Sequence, residues 1–335
     1  VLRVALVGCG LISESHIQAY EHHTDRARIT VCCDIDPTKA AQAAARVGGA
    51  RAVTSYEAVL ADREVDAVEI CTPHHLHTDA VVAAARAGKH ILCQKPLAKT
   101  IEECDVMIAA AKEAGVVLFY GEITRTLLAA DVAKQTIADG RIGKLVGVQA
   151  TYAHWQGGAY LSTAWRYDPK ISGGGQLLDG GIHYIDLMLN LGGPVEAVSC
   201  FTTRFRPELG GEDTAVVNLR YAGGQLGSLF SSQAAGVLNP GSSLVVFGTE
   251  GIMSIGVFRG GLTLYRADLP GGQEVLLEDN GHLFAAMTGR YLDTVLDGAP
   301  NISPAEVGRE NLRIVLAAYE SARTGREVRL DQIAP

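Results

Sequence analysis

The sequence predicts an α/β protein: an N-terminal doubly wound parallel sheet, then an α+β domain built on a large, mostly antiparallel open sheet. Three observations carry this. Residues 1–120 alternate short apolar runs with helical segments through short connections, as βαβ units do. Beyond residue 145 the runs lengthen, alternate apolar with polar positions and are joined by Gly-rich turns, as antiparallel strands are. A chain of 335 residues suits two domains, placed at 1–122 and 123–335.

In the first half, strands are expected at Leu2–Val7, Arg28–Asp34, Ala50–Val53, Ala67–Cys71, His90–Cys93 and Val116–Tyr120. Pro37 after Asp36, the capping box of Thr100 with Glu103, and the stops at Gly88 and Gly115 delimit the helices. The first strand runs into Gly8-Cys9-Gly10-Leu11-Ile12-Ser13 and a helix, a G-x-G-x-x-S turn. Alone this is a weak signal, equally an ordinary tight turn. Here it follows a strand, opens a helix, and the second strand ends in Asp34, 26 residues after Gly8. That context identifies a dinucleotide-binding turn, with Gly8 for the bend and Gly10 for backbone approach to a pyrophosphate. Asp34, followed by Ile35 with no Arg close behind, accepts from ribose hydroxyls and repels a 2′-phosphate, so NAD is expected rather than NADP.

The fourth strand ends in Cys71-Thr72-Pro73-His74-His75-Leu76-His77. Three histidines invite a metal, but no nearby acid or thiol completes a set, and no metal is expected. Thr72 and Pro73 are read as walls of the cofactor site, with His77 in the next helix's first turn. The fifth strand delivers Gln94-Lys95-Pro96, where a lysine fixed at the ligand edge can polarise a hydroxyl or carbonyl oxygen.

The second half contains the stretch Gly173–Gly192, without Lys, Arg or Glu. Leu178, Ile182, Ile185 and Leu189 recur at helical spacing behind three glycines, so a buried helix entered through a tight turn is expected. Asp179, His183 and Asp186 lie on one stripe of it. A carboxylate that orients an imidazole makes a general base, whereas Asp186 reads as a structural acceptor. The flanking strands are Leu145–His154, Val195–Phe205, Asp213–Tyr221, Leu226–Ser232 and Ser243–Thr249, with shorter ones to Leu277 and two closing helices. A large open sheet leaves one face needing cover, so a homo-oligomer, dimer or tetramer, is expected. Between Tyr152 and Tyr167 lie His154, Trp155, Tyr160, Trp165 and Arg166. Aromatic faces and polar tips suit a sugar ring, and His154 and Arg166 are the expected substrate contacts.

Composition narrows the partners. A net charge of −8 without basic clusters argues against nucleic acid and anionic membrane. Seven cysteines without a C-x-x-C pattern, and an apolar start too short for a signal peptide, suit a reducing cytoplasm.

At this level of detail the chain resembles the glucose–fructose oxidoreductase, inositol dehydrogenase and rhizopine-catabolism family (Gfo/Idh/MocA). The resemblance rests on Gly8-x-Gly10, Cys71-Thr72-Pro73 with His77, and Gly88-Lys89-His90 leading to Lys95-Pro96. It continues through Ala138–Gly143, Trp165-Arg166, and Gly173-Gly174-Gly175 with Asp179, His183 and Asp186. It implies a Rossmann domain and an NAD-dependent dehydrogenase acting on a ring alcohol of a sugar, aminosugar or cyclitol. Lys95, Asp179 and His183 then map onto the catalytic residues, all three also touching substrate. Gly8, Gly10, Leu11, Ile12, Asp34, Ile35, Thr72, Pro73, His77, Gln94, Lys95, Trp165 and Arg166 map onto the cofactor site. Departures are Gln94 where most members carry Glu, Ser13 in the turn, and Ile123 where an Asn is usual. Two other readings fit the same residues: a redox-neutral enzyme that keeps its NAD, and a non-catalytic sugar or dinucleotide sensor.

Overall fold

Apolar runs without alternation, such as Val4-Ala5-Leu6 and Ala67-Val68, belong to strands covered on both faces, and all five of these residues are fully buried. The computed structural model describes residues 1–157, 163–236 and 243–333. They form two compact units, Val1–Ile123 with Phe284–Arg309, and Thr124–Leu283 with Glu310 onward.

The first unit holds β1 (Leu2–Val7), β2 (Ala27–Cys33), β3 (Arg51–Val53), β4 (Ala67–Ile70), β5 (His90–Gln94) and β6 (Leu118–Gly121). All pair in parallel in the order β3-β2-β1-β4-β5-β6. The order reverses between β1 and β4, which opens a crevice at their carboxyl ends. The intervening helices are α1 (Ser13–Glu21), α2 (Pro37–Val47), α3 (Tyr56–Ala61), α4 (His77–Arg86) and α5 (Ile101–Ala114). Their ends follow the local chemistry: Asp36 caps α2 by accepting from Thr38 N at 2.9 Å, and Thr100 and Glu103 form the expected capping box. The distant segment from Phe284 joins this unit. Ser303 exchanges two 2.7 Å bonds with Tyr120, from its hydroxyl to the Tyr120 carbonyl and from Tyr120 N to its own carbonyl. Arg309 pairs with Asp105.

The second unit begins with α6 (Leu128–Ala138), β7 (Leu145–Ala153), the single turn α7 (Pro169–Ser172) and α8 (Ile182–Gly192). It continues through β8 (Val195–Thr203), β9 (Thr214–Tyr221), β10 (Leu226–Ser232), β11 (Ser243–Gly248), β12 (Ile252–Gly256), β13 (Leu262–Tyr265) and β14 (Gln273–Leu277). Helix α9 (Leu283–Asp297), helix α10 (Ala305–Thr324) and the short β15 (Val328–Arg329) close the chain. The nine-stranded sheet runs β14-β13-β12-β11-β7-β10-β9-β8-β15, antiparallel except where β10 lies parallel to β7. Helix α8 covers one face, and Tyr221 Oη donates to the Met188 carbonyl at 3.1 Å. On the other face the register sets Phe201 and Phe230 on either side of Val216 and Ile252 opposite Tyr265, all four aromatic or Ile side chains exposed. Among the described residues no helix is long and apolar enough to cross a membrane.

The structure departs from the expected helix at its start. Leu177–Gly181 is a π turn that leads into α8. The extra residue per turn rotates Asp179 off the α-helical stripe, and single π turns inside helices mark functional sites. Gly180 and Gly181 permit it, since a Cβ at Gly180 would lie 2.6 Å from Gln176 Nε2 and 2.6 Å from Tyr152 Cε1.

Candidate cofactor and active site

The carboxyl edge of the parallel sheet is built for a dinucleotide. Gly8 has φ +93°, and a Cβ there would lie 2.7 Å from the Cys71 carbonyl carbon, so only glycine fits. Beside Gly10 nothing lies within 4 Å of the position a Cβ would take. Helix α1 has Ile12 at its N-cap, which supplies no side-chain cap, leaving its amino end to a ligand. Asp34 is held in place by Cys9 N at 2.8 Å on Oδ2 and by Asp36 N at 2.9 Å on Oδ1. Leu11 in the glycine turn and Ile35 after Asp34 are exposed apolar side chains, Ile35 at 94 % exposure. Thr72 Oγ1 is buried without a hydrogen-bond partner among the described residues, an orphan that a bound molecule would satisfy, and Pro73 follows it. These features fit NAD. Gly8, Gly10, Leu11 and Ile12 would hold its pyrophosphate and Asp34 its ribose.

His77 is fully buried, with Nδ1 2.9 Å from the Pro96 carbonyl and Nε2 2.9 Å from that of Thr72. Both ring nitrogens are engaged by backbone, so His77 fixes the Thr72 and Pro96 loops rather than offering a nitrogen to the cofactor. Burial pushes its proton affinity below the ordinary histidine value, against the pull of the Thr72, Pro96 and Leu97 carbonyls. Lys95 stands half-buried at the end of β5 and joins Pro96 through a cis peptide. Gln94 beside it turns inward, its amide 2.7 Å from His16 Nε2.

In the second unit Asp179 and His183 sit one turn apart, on the π turn and the start of α8. Arg166 Nε donates to Asp179 Oδ2 at 3.2 Å and its Nη1 to Thr163 Oγ1 at 2.7 Å. The guanidinium lies 4.2 Å above the Trp165 ring. Burial pushes Arg166 down to about 10. His183 is 9 % exposed and meets Phe258 edge-on, with ring centroids 5.9 Å apart. Thr124 Oγ1 donates to the His183 carbonyl at 2.9 Å, which anchors that backbone. His154 tilts over Tyr152 at 4.7 Å and has Gln156 Oε1 2.7 Å from Nε2. Its buried Nδ1 has no hydrogen-bond partner among the described residues, and burial lowers its proton affinity despite the Gln156 bond. The expected candidate Tyr160 lies outside the described residues.

Asp186 is the structural acceptor the sequence suggests. Fully buried, its Oδ1 accepts from Arg125 Nη2 at 2.6 Å and Asn311 Nδ2 at 2.7 Å. Two groups escaped the sequence reading. Glu212 clamps the glycine turn, accepting from Gly175 N at 3.0 Å, Leu177 N at 2.8 Å and Tyr319 Oη at 2.9 Å. His16, Glu69 and Cys71 form a buried trio, with His16 Nδ1 in an ion pair with Glu69. An acid inside the apolar run Val65–Cys71 and a histidine on the buried face of α1 were the available signals. Among the described residues this trio, and not His74, His75 and His77, is the only cluster tight enough for a cation.

Comparison with known proteins agrees with this geometry. Residues 2–122 match the model described as oxidoreductase family, NAD-binding Rossmann fold, and residues 131–254 match the GFO/IDH/MocA C-terminal domain. The levoglucosan dehydrogenase of Pseudarthrobacter phenanthrenivorans is 31 % identical over 281 residues, 75 % of this chain and 72 % of that protein. The 1,5-anhydro-D-fructose reductase of Ensifer adhaerens is 31 % identical over 297 residues, 85 % of each chain. Among solved structures, a levoglucosan dehydrogenase complex with NADH and levoglucosan superposes with a TM-score of 0.90 at 26 % identity, over 99 % of this chain and 100 % of that one.

Proposed function

The chain belongs to the Gfo/Idh/MocA family of NAD-binding oxidoreductases, and from that premise we propose that it oxidises a secondary alcohol on the ring of a sugar, aminosugar or cyclitol. The observation that carries this is the Asp179–His183 turn with Arg166 closed onto Asp179, a base and carboxylate pair in a half-buried, aromatic-lined setting. The relatives support the sugar class, since one is named for levoglucosan and the other for 1,5-anhydro-D-fructose. Arg166 is already engaged by a carboxylate, which favours an uncharged polyol over an acid. NAD supplies the hydride acceptor. His183 takes the hydroxyl proton, Lys95 hydrogen-bonds that oxygen, and Asp179 orients His183 or holds a neighbouring hydroxyl. His154 is assigned to the substrate and Trp165 to the cofactor. The apolar open sheet face is assigned to a second copy of the chain, in a dimer or tetramer.

The test is a panel of inositols, aldoses, anhydro sugars and amino sugars with NAD and NADP, read by NADH absorbance. Net NADH release on one substrate class supports a dehydrogenase, and turnover without release supports the redox-neutral alternative. Lys95→Ala and His183→Ala should each lower kcat by ~10²- to 10⁴-fold. Wild-type turnover in both variants would sink the assignment.

A further inference from the structure

One histidine near the Asp179–His183 turn has its hydrogen bonding set at one ring nitrogen and left open at the other. His154 Nε2 lies 2.7 Å from Gln156 Oε1. An amide oxygen only accepts, so Nε2 carries the ring proton and Nδ1 is a bare acceptor. That Nδ1 is buried and has no hydrogen-bond partner among the described residues. Burial lowers the proton affinity of the ring, which favours its neutral form.

Gln156 is held in turn. Its backbone N–H donates to the Gln233 carbonyl at 3.1 Å, and its own carbonyl accepts from Arg206 Nη1 at 2.5 Å. Arg206 is 5 % exposed, lies 4.2 Å over the Trp155 ring and donates a further bond to Glu208. The amide that faces His154 therefore starts from a braced backbone.

The imidazole is also placed close to the reacting groups. It tilts over Tyr152 at 4.7 Å, Tyr152 meets Phe258 at 5.7 Å, and Phe258 meets His183 edge-on at 5.9 Å. Tyr152 Cε1 also stands 2.6 Å from the position of a Cβ at Gly180, the residue after Asp179. One ring, Tyr152, thus bridges His154 to the turn that carries Asp179.

A buried acceptor without a partner costs free energy until a donor reaches it. A carboxylate or carbonyl oxygen brings only a second acceptor and is repelled, whereas a hydroxyl brings the missing proton. We propose that His154 is a specificity-determining residue whose Nδ1 accepts from a ring hydroxyl of the substrate and rejects an oxidised or ionised oxygen there. Gln156 is the positioning residue that fixes its tautomer. The proposal rests on the reading of Asp179 and His183 as the substrate site, and it narrows that reading to an uncharged ring polyol with a free hydroxyl at this place.

The test has one arm without ligand and one with it. Long-range proton–nitrogen-15 spectra of wild type at neutral pH should place the His154 proton on Nε2, and Gln156→Leu should give a mixture of tautomers. Equilibrium binding to the NADH-loaded protein then uses D-glucose, myo-inositol and their monodeoxyfluoro analogues, in which fluorine cannot donate. One analogue should bind wild type about tenfold more weakly than its parent, and in His154→Phe that gap should close to within about threefold. Gln156→Leu should narrow the same gap. Analogues that lose a different hydroxyl should keep their penalty in both variants. A wild-type proton on Nδ1 or on both nitrogens would overturn the proposal, as would the absence of any penalty that depends on His154. Failure of both parent polyols to bind would overturn it as well. The wild-type spectrum needs no variant, so a misfolded His154→Phe does not shield the assignment. Binding and discrimination without net NADH release would sink the dehydrogenase reading alone and leave this one standing.

Discussion

Arg166 Nε and Asp179 Oδ2 are 3.2 Å apart, and the guanidinium is at the same time stacked on Trp165 at 4.2 Å. One cation thus holds the carboxylate of the π turn and is itself held by an aromatic face. Arg166→Ala should lower kcat/KM by about 100-fold through loss of Asp179 placement. Arg166→Lys should recover little of it, because an ammonium neither stacks flat nor reaches both Asp179 and Thr163. Steady-state kinetics decide the matter, and wild-type kcat/KM in Arg166→Ala would rule this out.

Two glycines should respond in opposite ways. Gly180→Ala puts a Cβ 2.6 Å from Gln176 Nε2 and Tyr152 Cε1 and should destabilise by roughly 1–3 kcal/mol, with loss of turnover. Gly10→Ala has open space and should leave the urea midpoint nearly unchanged while weakening NAD binding. Equal stability losses in both would contradict the assigned roles.

Asp34 has its oxygens pre-set by Cys9 N and Asp36 N. Wild type should prefer NAD to NADP by at least about tenfold, and Asp34→Ala should erase most of that preference. The comparison is of kcat/KM for the two cofactors. Better use of NADP by the wild type would mean that Asp34 does not face the ribose.

Burial depresses the proton affinity of His77, His90 and His154 in the folded chain. Their unfolded rings titrate near ~6.5, so the unfolded chain binds protons first as the pH falls. Their contribution to stability is complete above that value and is lost as the pH drops through the depressed native values. His16 works the other way: raised in the folded state, it contributes fully below ~6.5 and loses that contribution as the pH climbs through its native value. Three against one, urea midpoints should fall between neutral pH and pH ~5, and His77→Gln should flatten that slope. An unchanged slope in the variant would show that His77 is charged when folded.

The exposed pair Phe201 and Phe230 lies on the open face of the nine-stranded sheet. If a second copy covers that face, light scattering should give a dimer or tetramer, and Phe201→Asp with Phe230→Asp should reduce it toward monomer. A monomeric wild type at micromolar concentration ends that assignment.

Local chemistry made part of this legible. The Gly8 turn, the Thr100–Glu103 box and the Asp36–Pro37 start announce themselves within a few residues, because they act over a few residues. The carboxylate and imidazole at 179 and 183 are legible because polar groups on an apolar helix stand out. The π turn was not, since two glycines in a helix look the same whether the ladder is α or π. Glu212 and Tyr319 were invisible for a different reason: their partners lie 37 and 144 residues away, at Gly175. The Glu69–His16 pair spans a strand and a helix, and each half alone reads as an ordinary polar residue.

The clamp on the glycine turn also has a bearing on how the protein is made. Tyr319 both donates to Glu212 and accepts from Gly175 N, while Asn311 supports Asp186, and both lie on α10. During synthesis the segment carrying Asp179 and His183 leaves the ribosome about 140 residues before the side chain that completes its anchorage. Over that interval the turn has its glycines but not its brace. A nascent chain halted before α10 should therefore contain Asp179 and His183 without the bonds that fix their turn, so that this geometry arrives late and nearly all at once.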